Sequence, residues 1–248
     1  MQTMLILSMA MSLSPQMAGQ LEPAGDPPPA AGFVAASEAG ALDAAYLAHG
    51  LASATIMRGP GLTARTDFQG YYDSATWSTA PAFPGVDDPH YLSVILETDT
   101  WYEIIFDSID LAYQDAGSGE SARRLELRWS VDGFASPLFT DLSVASWPEV
   151  DFNSISLPLL PPQTGVIEFR LFGYGAPSQI GVLGLANTPL LALAEEDAAL
   201  IIRGELQIIP EPPTLAAILG LVLVCLLLLR NLRRGDGSPG DRRFFGRF

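Results

Sequence analysis

Apolar and polar residues alternate along the chain from about Ser53 onward, and a period of two residues is typical of β-strands. The clearest case is the segment 125–131. Side chains point alternately to the two faces of a strand, so one set should line a core and the other should meet solvent. We expect the core set to be Leu125, Leu127, Trp129 and Val131, and the solvent set to be Glu126, Arg128 and Ser130.

Other segments show the same alternation or a short apolar run, and we predict strands at 91–98, 104–113, 139–144, 150–157, 166–172 and 200–208. In the segment 104–113 we expect one face to carry Ile105, Asp107, Ile109 and Leu111 and the other to carry Ile104, Phe106, Ser108 and Asp110. Both sets contain apolar residues, so both faces can be covered. Turn residues such as Asp132-Gly133 and Pro161-Pro162 separate the strands. Many short strands without a long amphipathic helix predict a mainly β fold, an antiparallel β-sandwich or jelly roll, over residues 44–209.

The N-terminal residues have a different composition. Residues 4–13 are mostly apolar and are followed by small residues, which indicates a signal peptide at 1–18, although no Lys or Arg precedes Arg58. Residues 19–43 are rich in Pro and Ala, and we expect a linker there. Its segment 21–31 should be extended without a central strand, and residues 35–48 should be mostly irregular or form short strands.

The C-terminal part is organised around an uncharged apolar run at residues 215–229. A helix over these fifteen residues would be about 22 Å long, shorter than the roughly 30 Å hydrocarbon core of a bilayer. Arg230, Arg233 and Arg234 follow it directly and would stop its transfer across the membrane. We therefore predict a single short transmembrane helix there, with a basic flexible tail at 235–248.

Net charge and cysteine content limit the possible partners and the compartment of the protein. The formal charge is −15, and because residues 230–248 carry six Arg and two Asp, the rest of the chain is more acidic still. Such an acidic body argues against nucleic acid as a partner. The Arg cluster places the C-terminus in the cytoplasm and the acidic body outside. The single cysteine, Cys225, lies in the apolar run, so the exported part has no internal disulfide.

The order of features at the chain end resembles a known family of sorting signals. Pro210-Glu211-Pro212 precedes the apolar run, and the Arg cluster follows it, as in the PEP-CTERM signals of bacterial surface proteins. Segments 127–134 and 169–176 also look like stretches of PEP-CTERM ectodomains. The resemblance implies a sandwich of the carbohydrate-binding-module kind and processing of the segment 210–234 by an exosortase-like membrane protease.

No catalytic constellation is visible in the sequence. His49 and His90 are the only histidines, which argues against a Ser-His-Asp triad and against a multi-histidine metal site. His90 lies in an Asp-Pro turn. Asp107 and Asp110 are three residues apart, so in a strand they face opposite ways. We expect no enzymatic activity, no metal and no cofactor. The candidate sugar-stacking residues are four aromatics: Tyr71, Tyr72, Trp77 and Trp101.

Two functions are therefore expected from the sequence. The first is a non-enzymatic protein that passes through an inner-membrane intermediate, held by residues 215–229, and reaches the cell surface or extracellular matrix. The alternative is a carbohydrate-binding module that acts on extracellular polysaccharide.

Overall fold

The computed structural model describes residues 27–36, 38–66, 71–115, 120–141, 144, 149–158, 161–193, 196–209 and 220–226. In chain order the strands are β1 (Pro29–Phe33), β2 (Leu42–Asp43), β3 (Tyr46–Leu47), β4 (Leu51–Arg58), β5 (Thr63–Arg65), β6 (Tyr71–Ala75), β7 (Tyr91–Thr98), β8 (Tyr102–Asp115), β9 (Arg124–Trp129), β10 (Phe139–Asp141), β11 (Asp151–Ser156), β12 (Val166–Tyr174), β13 (Leu183–Ala186), β14 (Thr188–Leu193), β15 (Glu196–Ala198) and β16 (Leu200–Ile208). The prediction of a mainly β, antiparallel fold is confirmed.

Two curled antiparallel sheets make up the body of the protein. The large sheet has the order β3-β1-β16-β8-β13-β6-β5, and β11 also pairs with β8. The small sheet has the order β10-β9-β12-β7-β4-β2. A β14–β15 hairpin lies on the outer face of the large sheet, where Leu191 packs against Ala112 and Ile201.

The core lies between the inner faces of the two sheets. Phe106 of the large sheet meets Phe169 of the small sheet edge to face, with ring centroids 5.3 Å apart. Trp129 is only 3% exposed and lies 6.0 Å from Phe169. Leu125, Leu127 and Trp129 thus face the core as expected. Val131 does not, because β9 ends at Trp129 and a 3₁₀ turn at Ser130–Asp132 leaves it 38% exposed.

The faces predicted for segment 104–113 are wrong in their first half. Ile104 and Phe106 are buried in the core, and so are Ile109, Leu111 and Tyr113, although the two sets differ in parity. The pairing of β8 with β16 shifts register between Arg203 and Gly204, opposite Asp107. This bulge adds one residue and moves the following side chains to the opposite face.

The linker prediction is wrong at residues 29–33, whereas the short strands β2 and β3 agree with the expectation for residues 35–48. β1 lies between β3 and β16 in the large sheet, and Ala30, Ala31 and Phe33 are fully buried. Pro29 is tolerated because it is the first residue of the strand. The small side chains after it carry little hydrophobic pattern, yet they allow close packing inside the sandwich. The sandwich therefore begins near residue 29 rather than at 44.

The described part of the C-terminal segment is residues 220–226, which are helical. The side chains of Leu221, Val222, Leu223, Val224 and Leu226 are at least half exposed. Within the parts of the chain that the structure describes, no helix is both long and apolar enough to cross a bilayer. The rest of the predicted helix at 215–229 lies outside the described residues, as do the signal peptide at 1–18 and the tail at 235–248.

Candidate functional site

Two of the four aromatic residues predicted to stack on sugar belong to the core. Tyr72 and Trp77 are both 0% exposed. The Tyr72 hydroxyl donates to the Gly40 carbonyl at 2.7 Å, and the Trp77 indole donates to the Ser74 carbonyl at 2.8 Å. The Arg58 guanidinium covers the Tyr72 ring, 3.8 Å from its centroid. Neither ring has a face open to a ligand, which corrects that part of the prediction.

The other two aromatics lie far from each other. Tyr71 is on β6, near the level of Tyr113 at the end of β8. Trp101 precedes the first residue of β8 and is 63% exposed. Most of the length of β8 therefore separates them, roughly 30 Å along the strand direction. The structure does not bring the predicted residues together into one platform.

A different set of polar side chains does come together, on the outer face of the small sheet. Strand pairing places them on four neighbouring strands, β2, β4, β7 and β12, with Asp43 opposite Thr55 and Ser53 opposite Glu97. We call this set the polar patch: Asp43, Ser53, Thr55, Ser93, Glu97, Glu168 and Arg170. Met57, 42% exposed, and the partly buried Ile95 lie among these side chains.

Hydrogen bonds across the strands order the polar patch. The Thr55 hydroxyl donates to Asp43 at 3.0 Å, and the Ser53 hydroxyl donates to Glu97 at 3.3 Å. On the other side of β7 the Ser93 hydroxyl donates to Glu168 at 2.7 Å. The carboxylates are thereby held in fixed positions, while Asp43 and Glu97 remain exposed to solvent.

Arg170 is the positive group of the patch, and it is held on three sides. Its Nε and Nη2 donate to the two carboxylate oxygens of Glu168 at 2.8 and 3.1 Å. The rings of Tyr91 and Phe134 lie on it at 4.5 and 4.1 Å from their centroids. Burial lowers the Arg170 pKa, but the hydrogen bond and charge of Glu168 outweigh this effect and leave the pKa raised.

Next to the patch, Glu126 and Arg128 on the outer face of β9 are shielded from solvent. Glu126 and Arg128 are 5% and 8% exposed, which contradicts the prediction that they face water. They form an ion pair, with the Arg128 Nε donating to Glu126 at 2.7 Å. Phe83, from the segment between β6 and β7, covers the Arg128 guanidinium at 4.0 Å. The pattern of residues 124–129 could not predict this burial, because the covering side chain comes from a loop that is distant in sequence.

Features typical of enzymes do not assemble elsewhere in the described residues. Asp107 is exposed, whereas Asp110 is 5% exposed and paired with Arg203 at 2.7 Å. Asp88 accepts from both the backbone and the ring of His90, at 2.9 and 2.8 Å, as in a structural turn. Across the described ranges, no three His, Cys, Asp or Glu residues form a group that could hold a metal ion.

A small cavity between the two sheets is apolar and offers no acid or base. It is lined by Leu92, Val94, Ile109, Leu111, Leu127, Phe169, Leu171, Leu185, Leu200 and Ile202. The sorting residues Pro210, Glu211 and Pro212, and the stop-transfer residues Arg230, Arg233 and Arg234, lie outside the described residues. The polar patch is therefore the candidate binding site.

Comparison with known proteins gives distant structural neighbours alone. No protein-family model matches the chain, and no curated protein matches it. Among solved structures, a variant of the family 29 carbohydrate-binding module CBM29-2 is similar, with 10% identity, a TM-score of 0.33, and coverage of 70% of this chain and 89% of that one. A second variant, complexed with mannohexaose, shows 9% identity, the same TM-score, and coverage of 71% and 92%.

Proposed function

We propose that this protein is an exported, non-enzymatic surface protein whose sandwich binds a neutral extracellular polysaccharide along the polar patch. The observation that carries the proposal is the row of exposed or half-buried carboxylates on neighbouring strands of the small sheet, each ordered by a hydrogen bond from a Ser or Thr hydroxyl. At a spacing of about 4.8 Å between strands, four strands span about 15 Å. A short segment of a polysaccharide chain can span this distance.

The chemistry of the patch suits a polyhydroxyl ligand. Sugar hydroxyls donate to fixed carboxylates such as Asp43 and Glu97 and accept from the guanidinium of Arg170. Met57 and Ile95 between them offer apolar contact to the C–H groups of a sugar ring. Three carboxylates against one guanidinium leave the patch with a negative charge. We therefore propose a neutral chain rather than an anionic one as the ligand.

The route to the surface in this proposal is the C-terminal sorting segment. Pro210-Glu211-Pro212 would present an extended peptide to an exosortase-like protease, because prolines keep the backbone out of helical hydrogen bonds. The apolar run would hold the precursor in the membrane until cleavage. Exposed leucines and valines in the helix at 220–226 support this, since such side chains need an apolar environment.

Two substitutions on the patch test the binding. Thr55→Val and Glu97→Gln together remove a hydroxyl and a charge from groups that are not buried, so the fold should persist. The matched control is Glu205→Gln, an exposed carboxylate on the outer face of the large sheet. In affinity gels containing soluble glucan, mannan or xylan, we expect the double variant to bind at least about tenfold more weakly than the control. Equal retardation of both variants would exclude the patch as the binding site.

The sorting part is tested separately with Glu211→Gln. This change removes the charge between the two prolines without making membrane insertion harder. In a host that contains the sorting protease, we expect the full-length precursor to accumulate on an immunoblot, compared with a Glu205→Gln control. Maturation of Glu211→Gln at the normal rate would mean that Glu211 is not recognised.

A further inference from the structure

Three large apolar side chains are exposed together at one end of the sandwich. Trp101 is 63% exposed, Val166 is 64% exposed and Ile208 is 68% exposed. We call this the exit end, because β16 finishes there and the chain leaves for the apolar helix. The other described tryptophans, Trp77 and Trp129, are 0% and 3% exposed, so the exposure of Trp101 is specific to this end.

Backbone contacts place the three residues at the same end of the sandwich. The Ile209 amide donates to the Trp101 carbonyl at 2.8 Å, so the turn between β7 and β8 touches the end of β16. The Thr98 amide donates to the Gly165 carbonyl at 3.0 Å, which brings the start of β12 to the same turn. The last residue of β7 and the first of β12 therefore meet where β16 ends.

The chain after Ile208 limits how far this end can lie from the apolar run. Six residues separate Ile208 from Leu215. Fully extended, they reach about 23 Å, and their prolines favour an extended form close to that limit. The exit end is therefore tethered within about 23 Å of the apolar run. Whatever environment buries that run is also within reach of Trp101.

The charges at the exit end favour zwitterionic over anionic lipid. The segments that form it, 47–54, 95–105, 161–168 and 204–209, contain no Lys and no Arg. They do contain five acidic residues, of which Glu97, Asp99 and Glu205 are exposed. Such a surface has nothing to pair with anionic headgroups and is repelled by them. Zwitterionic lipid, by contrast, accepts an indole at the level of the headgroups without a charge penalty.

We propose that the exit end rests on the zwitterionic lipid surface of the membrane that holds the apolar helix, with Trp101 inserted among the headgroups. This inference rests on the membrane-held precursor in the proposed function. The indole suits that position because its ring is apolar and its N–H is a hydrogen-bond donor. Val166 and Ile208 add further exposed apolar side chains at the same end.

The experiment uses the full chain in phosphatidylcholine vesicles that carry spin-labelled lipid, labelled either near the glycerol backbone or at the end of the acyl chain. Tryptophan emission of the wild type is compared with that of Trp101→Phe, so that the difference reports Trp101 alone. We expect the label near the glycerol backbone to quench the tryptophan fluorescence of the wild type strongly and the acyl-end label to quench it weakly. Most of this quenching should be lost in Trp101→Phe. Phe keeps an apolar ring, so the variant should still fold and float.

Flotation with the vesicles separates the two hypotheses. If the chain does not float, the membrane-held precursor is wrong, and this inference falls with it. If the chain floats and Trp101→Phe is quenched as strongly as the wild type, the anchor stands and the resting position is wrong. If quenching is stronger with phosphatidylglycerol than with phosphatidylcholine, the proposed preference for zwitterionic lipid is overturned.

Discussion

Trp129→Ala tests whether the two sheets are held together by the aromatic cluster at their centre. Trp129 is 3% exposed and packs against Phe106 and Phe169 from both sheets. A buried tryptophan removes about 150–250 Å² from water, worth about 4–6 kcal/mol at 25 cal/mol per Å². An alanine at this position still buries some apolar area, which reduces the loss. The cavity left by the indole increases the loss where the surrounding side chains cannot relax into it. We expect a loss of about 3–5 kcal/mol in the free energy of unfolding.

The measurement is urea denaturation of residues 27–209, followed by circular dichroism because the substitution itself changes the fluorescence. Trp101→Ala is the matched control, since it removes the same side chain from a site that is 63% exposed. We expect the control to change stability by less than about 0.5 kcal/mol. A loss at Trp129 no greater than the loss at Trp101 would refute the assignment of the inner face of β9.

Two further predictions concern tight packing and alkaline pH. Gly173→Ala should cost about 1–3 kcal/mol in thermal or urea unfolding, because a Cβ there would lie 2.6 Å from the Trp77 Cζ3 atom. Gly40→Ala, where nothing lies within 4 Å, is the near-neutral control. Burial, followed by the hydrogen bond to Asp141, raises the pKa of Tyr113. The folded state then holds a proton that the unfolded state releases, so stability should fall as pH rises above about 10. The urea midpoint should therefore be lower at pH 11 than at pH 8, and this difference should be smaller in Tyr113→Phe.

The sequence predicted the parts of the fold that local pattern controls. The strand at 200–208 was predicted with the same bounds as β16. The inner side chains of β9 followed the alternation because that strand is regular. The pattern failed at Asp107, where a bulge between β8 and β16 changes the face, and it failed at β1, whose small residues carry little hydrophobic pattern. Both features depend on pairing with a distant strand, which local periodicity does not contain.

The candidate site was harder to predict for the same reason. Aromatic residues were the candidates predicted from the sequence, but Tyr72 and Trp77 are buried in the core. The polar patch consists of ordinary Ser, Thr, Asp and Glu residues, which become a site when the order β2-β4-β7-β12 places them side by side. A prediction of strand order would have found Thr55 opposite Asp43 and Ser53 opposite Glu97. Strand order is long-range information.

The pairing of the first strand with the last determines when the protein can fold. β1 hydrogen-bonds to β16, and Ala35 exchanges two hydrogen bonds with Asn187, 152 positions away. Closing such long loops is slow because the entropy is lost before the contacts form. If the chain is exported from its N-terminus, as proposed above, it cannot complete the large sheet until nearly all of the sandwich has emerged. In the proposed export, the large sheet would therefore close only when the segment that follows β16 arrives.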